Sequence, residues 1–116
     1  MKSYYTVKKN SDFRRMYSKG KSAVLPEMVV YCRKNRLDRN RTGFTVSARI
    51  GNAVTRNRIR RRMREIYRLN SGRLKTGYDI ILVARSWAAS EEFSKLERGF
   101  LEGCEKLGLL STTAEV

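Results

Sequence analysis

The residues of this chain best equipped for chemistry are guanidinium groups. Six arginines (Arg56, Arg58, Arg60, Arg61, Arg62 and Arg64) fall within nine consecutive positions, and Glu65 is the one acid across residues 50–68. No lysine interrupts them, although lysine is plentiful elsewhere in the chain. A guanidinium stays charged and offers a planar fork that takes carboxylate or phosphate oxygens in pairs, so this spacing points to anion recognition. Catalytic groups are scarce by comparison. With no histidine the chain lacks the commonest general base and the usual triads. Cys32 and Cys104 are solitary and too few for a four-ligand zinc site. Glu65 has no second acid beside it, and no D-x-D or H-x-H cluster offers a metal site, so a protein-only nuclease lacks its parts.

An arginine cluster needs a rigid element to hold it. Asn52 follows Gly51 at a turn and is a suitable N-cap for a helix over about 53–69. At 100° per residue Ile59, Met63 and Ile66 form a narrow stripe edged by Thr55 and Tyr67. Asn57, Arg60, Arg61, Arg64 and Arg68 lie opposite, and Arg56, Arg58 and Arg62 fall on the flanks. One face docks and the other is a guanidinium ridge. A solvated surface is the commoner meaning of a charge run, but it fits poorly here. Like charges at i, i+4 (Arg56–Arg60, Arg58–Arg62, Arg60–Arg64, Arg64–Arg68) each cost roughly a few tenths of a kcal/mol, and cations in the first turn oppose the helix dipole. The helix also does not resemble a DNA recognition helix, having few base-edge readers besides Asn52 and Asn57 and no heptads to dimerise it.

The 116 residues suffice for one domain, residues 1–110, with a polar tail over 111–116 expected to fray. Lys+Arg number 26 against 11 Asp+Glu, a net charge of +15. Self-repulsion on that scale favours a polyanionic partner, with nucleic acid ahead of an anionic membrane. No apolar run approaches the roughly 20 residues that cross a bilayer, and the N-terminus has no apolar core of a secretory signal. The expected location is cytoplasmic, with both cysteines acting as small buried hydrophobes in a reducing compartment.

The remaining elements follow from pattern. Asn10 or Ser11 can cap a short helix to about Ser18, with Gly20 as its stop. Its Phe13, Met16 and Tyr17 share one face at i, i+3, i+4. That triplet can pack on a core or, flanked by Arg14, Arg15, Lys19 and Lys21, stack on nucleic-acid bases. Residues 28–33 and 42–47 read as strands joined by a basic loop, expected to pair as an antiparallel hairpin. Met28, Val30 and Cys32 face one way; Val29, Tyr31 and Arg33 face the other, wetter way. Phe44 and Val46 point inward, with Gly43, Thr45 and Ser47 outward. Residues 70–77 read as a loop, and the apolar run 80–84 as a central strand buried on both faces. Ser90 is placed to cap a last helix, assisted by Glu91 and Glu92. That helix is lined by Phe93, Leu96, Phe100, Leu101, Cys104 and Leu107 and ends at Gly108. The order αββαβα describes a single-domain α+β sandwich around a small central sheet.

The stretch I-G-N-A-V-x-R-N-R-I-R-R-x-x-R-E closely resembles the RNR motif of the bacterial ribonuclease P protein subunit. N-S-D-F-R-R-M-Y-S-K-G resembles that family's first helix, F-T-V-S-A-R its second strand and Y-D-I-I-L-V-A-R its following strand. The resemblance covers residues 7–107. It implies a ribonucleoprotein that removes the 5′ leader from precursor tRNA, in which the RNA subunit is the catalyst and uses Mg²⁺. The protein then holds no catalytic side chain and no metal. It also implies an unusual left-handed βαβ crossover, an exception to the normal hand.

Matched position by position, the motif assigns Arg56, Asn57, Arg58, Arg60, Arg61 and Arg64 to the RNA subunit, with Gly51 and Asn52 at the turn, and Arg68 joins them from the same helical ridge. The precursor-tRNA leader falls to Phe13, Tyr17 and Tyr31, with the neighbouring cations Arg14 and Arg33. The implied partners are the ribonuclease P RNA subunit and precursor tRNA, with no membrane and no obligate protein partner. Two positions depart from the family pattern: Ala48 stands where many relatives carry lysine, and the segment before Val7 lacks the usual Arg-Leu pair. Composition alone also allows a general RNA-binding module of ribosomal type.

Overall fold

Alternating strands and amphipathic helices build a five-stranded sheet with three helices. The computed structural model describes residues 5–7, 10–89 and 92–111. The order is β1 (Tyr5–Thr6), α1 (Asn10–Lys19), β2 (Lys21–Val24), β3 (Met28–Lys34), β4 (Arg41–Thr45), α2 (Ala53–Asn70), β5 (Tyr78–Ala84) and α3 (Phe93–Lys106). Single 3-10 turns over Ala48–Ile50, Ser71–Arg73 and Ser86–Ala89 join them. In space the strands run β1-β4-β5-β3-β2.

β5 lies at the centre because it is apolar on both sides: Ile80, Ile81 and Leu82 are fully buried. It pairs antiparallel with β3, Tyr31 opposite Ile81, and parallel with β4, Gly43 opposite Ile81. The expected β3–β4 hairpin is therefore wrong. Alternation gives each strand its faces but not its neighbour, and the connection over 35–40 is long enough to step across an intervening strand. β4, α2 and β5 instead form a parallel crossover unit.

β2, which no sequence pattern marked, pairs antiparallel with β3 as an edge. β1 adds two residues beside β4. Both strands are short and largely exposed, so neither carries much of an apolar signal.

The core fills one face of the sheet. Met28, Val30 and Cys32 of β3 and Ile80, Leu82 and Ala84 of β5 meet Ile59, Met63, Ile66 and Tyr67 of α2 and Leu96, Phe100 and Cys104 of α3. The Tyr67 ring bridges the layers, edge-on to Phe44 at 6.2 Å and to Phe100 at 6.4 Å between centroids.

Two boundaries differ from expectation. Asn70 is the buried last residue of α2, its amide donating to the Ile66 carbonyl at 2.8 Å and to Glu97 at 2.8 Å. Glu92 occupies the N-cap of α3 without a side-chain cap bond; its carbonyl receives the Lys95 and Leu96 amides. The Ser90 and Glu91 roles, and those of residues 112–116 in the tail, lie outside the described residues. Gly108 follows α3 at φ +71°, where its missing Cβ suits the left-handed turn.

Candidate nucleic-acid interface

α2 is seated by its cap and its apolar stripe. The Asn52 side chain accepts the Thr55 amide at 2.9 Å, and its carbonyl accepts the Arg56 amide at 2.9 Å. Asn52 thus opens the helix as expected. The expected stripe is fully inside: Ile59, Met63 and Ile66 are buried, with Tyr67 beside them. Asn57, Arg58, Arg61, Arg64 and Arg68 are exposed, and Arg56, Arg60 and Arg62 are half-buried. A single turn over Ala48–Ile50, capped by Ser47, leads into Gly51.

The cations of the ridge divide by what they touch. Arg60 donates to the Asn57 side-chain oxygen at 2.9 Å. Arg58 donates to the Ala89 carbonyl at 3.2 Å, tying α2 to the turn beyond β5. Arg68 forms a two-armed pair with Glu65, one arm Nε to Oε2 at 3.2 Å. That hydrogen bond holds the Glu65 carboxyl below its ordinary range. Glu65 is thus not isolated, and Arg68 has part of its fork engaged. Among the described residues the guanidinium groups of Arg56, Arg61 and Arg64 meet no protein acceptor. Fixed on a rigid helix, they are preset donors for phosphate oxygens.

The second surface lies on the opposite face of the sheet, under α1. There the expected triplet separates by depth. Met16 is buried, Phe13 half-buried and Tyr17 43% exposed. Tyr17 stands edge-on to Tyr31 with centroids 5.0 Å apart, and Phe13 lies 6.5 Å from Tyr17. The Tyr17 hydroxyl is 3.5 Å from the Thr45 hydroxyl. Gly43, expected to face outward, lies beneath Phe13: a Cβ there would come within 2.9 Å of the ring. Phe13, Tyr17 and Tyr31 thus meet over β3 and β4 and present a partly open aromatic surface.

One row further along the same face the surface becomes polar. Arg33, Asp79 and Arg41 align across β3, β5 and β4. Arg41 grips Asp79 with two bonds of 2.8 and 2.6 Å, Asn35 adds a third at 3.0 Å, and Asp12 lies 3.7 Å from Arg41. The Asp79 bond raises the Arg41 pKa further. This clasp ties both ends of the long β3–β4 connection to the central strand. Beside it a hollow of about 360 Å³ is lined by Arg15, Arg33, Lys34 and Arg36 as well as the clasp. Arg36 holds φ +61°, uncommon for a non-glycine residue. Arg33 lines this hollow; Arg14 is exposed on α1 and does not.

The sequence reading marked Arg15 only as a basic neighbour of the first helix, and missed Arg36 and the clasp. Alternation alone would have put Arg41 on the face of Gly43 and Thr45, but only the fold supplies its partner. Among the described residues no group of three or more His, Cys, Asp or Glu side chains is placed to hold a metal ion. No described helix is long and apolar enough to cross a membrane.

Comparison with known proteins places this architecture among relatives. The sequence model of a family described as Ribonuclease P matches residues 1–108. The ribonuclease P protein component of Alkaliphilus metalliredigens is 41% identical over 111 residues, covering 96% of this chain and 100% of that one. The component from Clostridioides difficile is 43% identical over 93 residues, covering 79% and 82%. Among solved structures, the RNase P protein of Staphylococcus aureus superposes with a TM-score of 0.84 at 33% identity, covering 94% and 100%. That of Thermotoga maritima gives 0.77 at 31%, covering 84% and 92%.

Proposed function

Because the chain belongs to the ribonuclease P protein family, we propose a division of labour between its two faces: the α2 ridge holds the RNA subunit and the α1 cleft holds the 5′ leader of precursor tRNA. As a member of that family it is the protein subunit of a tRNA-processing endoribonuclease, and its partner is the ribonuclease P RNA. The observation that carries the division is the contrast between the surfaces. One is a rigid helical ridge of guanidinium donors whose only aromatic residue, Tyr67, is turned into the core; the other joins three aromatic rings to a cation-rimmed hollow.

Each surface suits a different form of RNA. A folded RNA brings phosphates together at fixed points, which a row of preset forks can meet. An extended single strand has unstacked bases, which pair with exposed rings whatever their sequence, while nearby cations follow the backbone. Gly51 and Asn52 set the angle of the ridge; Arg56, Asn57, Arg58, Arg60, Arg61 and Arg64 make the contacts, with Arg68 partly held by Glu65. Tyr17 and Tyr31 take leader bases, Phe13 supports them from beneath, and Arg33 with Arg14 meets leader phosphates.

Cleavage in this reading belongs to the RNA subunit, which holds the Mg²⁺, in the cytoplasm. The protein contributes position and charge. Neutralising phosphates at the junction of catalyst and substrate lowers the cation concentration needed to hold them together.

Reconstitution tests this. The purified protein alone should leave precursor tRNA intact, and adding it to its cognate RNA at low Mg²⁺ should restore 5′-leader removal. Cleavage by RNA-free protein, or no gain on adding protein to the RNA, would contradict the reading.

A further inference from the structure

We propose that Trp87 is a stacking platform for an unstacked base of the RNA subunit, extending the α2 interface onto the turn that follows β5. The inference rests on the assignment of the ridge to that RNA and adds a residue to it. Trp87 is the one tryptophan of the chain and is 59% exposed. An indole with more than half of its surface open to water gives up much of the burial that normally justifies its size, and such exposure marks interaction surfaces.

The turn beneath it is held firmly. Trp87 lies in the 3-10 turn Ser86–Ala89, where the next residue, Ala88, is 2% exposed and donates its amide to the Arg85 carbonyl at 2.9 Å. The Arg58 guanidinium bonds the Ala89 carbonyl at 3.2 Å, so a flank residue of the ridge fixes this turn to α2. With Ala88 in the core and Ala89 clasped, the backbone that carries the indole is set in advance, which lowers the ordering cost of a partner.

The surroundings identify that partner. The turn packs against α2 and against the turn Ala48–Ile50. Those neighbours supply the exposed Arg49, Val54 at 78% exposure, and a first helical turn containing no acid. Arg85 precedes the turn with part of its surface exposed, and its guanidinium donates to the Leu25 carbonyl at 2.9 Å. The centre of a protein–protein interface is depleted in charge. An exposed aromatic ring on a turn packed against an arginine-rich helix is suited to RNA, whose bases stack and whose phosphates bind nearby cations.

Fluorescence of the full-length protein reads this residue directly, since excitation selective for indole reports Trp87 alone. On saturation with the RNA subunit its emission should be quenched and its access to acrylamide should fall. Trp87→Ala should weaken RNA-subunit binding roughly five- to a hundredfold, the range set by one lost base stack. The slope of log affinity against log salt should stay unchanged, because no phosphate contact is removed. Trp87→Phe should retain most of the affinity.

Saturable binding of end-labelled RNA subunit with unaltered emission and an indifferent Trp87→Ala would overturn the stacking role while leaving the proposed function intact. Quenching by precursor tRNA in the absence of the RNA subunit would overturn the assignment to that RNA. If the labelled RNA subunit does not bind at all, the proposed function and this site both fall.

Discussion

Tyr17 and Tyr31 show how a side chain can belong to the scaffold and remain available. Their rings meet edge-on, so each covers part of the other while both stay partly open to solvent. Tyr17→Ala and Tyr31→Ala should each weaken binding of leader-bearing precursor tRNA by roughly five- to a hundredfold. Binding of mature tRNA, compared in the same titration, should change far less. Equal losses would make these rings packing residues. Phe13→Ala is a poorer test, because Phe13 rests on Gly43 and its removal also opens a void. The shared face of Phe13, Met16 and Tyr17 was legible from spacing alone. Their different depths were not, because depth is set by Gly43, Thr45 and Tyr31, which local periodicity does not bring into view. The same limit hid the Arg41–Asp79 clasp: neither residue looks unusual until β4 is placed beside β5.

At the scale of the element, α2 is the part where sequence and structure agree most closely. A capping asparagine, an apolar stripe and an opposing cationic ridge are all local, and they appeared where the 3.6-residue period put them. The two faces should respond oppositely to substitution. Met63→Ala should cost about 2–5 kcal/mol of stability through the cavity it leaves, seen as a lower urea midpoint. Arg61→Ala and Arg64→Ala should leave that midpoint unchanged or slightly raised, since each relieves like-charge repulsion. Each should also reduce the slope of log RNA-subunit affinity against log salt by about 0.7 to 0.9. An unchanged slope would show that those guanidinium groups meet no phosphate. The strands were less legible for a physical reason. A period of two fixes which side chains share a face, and says nothing of which strand lies alongside, so β5 displaced the expected hairpin. β2 and β1 carry few buried side chains and left almost no mark on the pattern.

Over the whole molecule, the sheet separates two chemistries: α1 covers one face beside a cation-rimmed hollow, and α2 covers the other with a row of arginines. The net charge of +15 is spread over both, and neither surface alone accounts for it. This separation can be read with tethered cleavage probes because the native thiols are silent. Cys32 and Cys104 are both buried, and burial pushes Cys104 up to about 12 and raises Cys32 as well, so near neutral pH neither forms the reactive thiolate. A single introduced cysteine on the surface can then carry an iron chelate by itself. The direct measurement places one probe on the ridge, at Arg61→Cys, and another on the exposed side of α1, at Ser18→Cys. Each variant is assembled with the RNA subunit and leader-bearing precursor tRNA. The expected result is strand cuts confined to the RNA subunit from position 61 and cuts in the 5′ leader from position 18. Leader cuts from position 61, or cuts from position 18 confined to the RNA subunit, would contradict the division of the two faces.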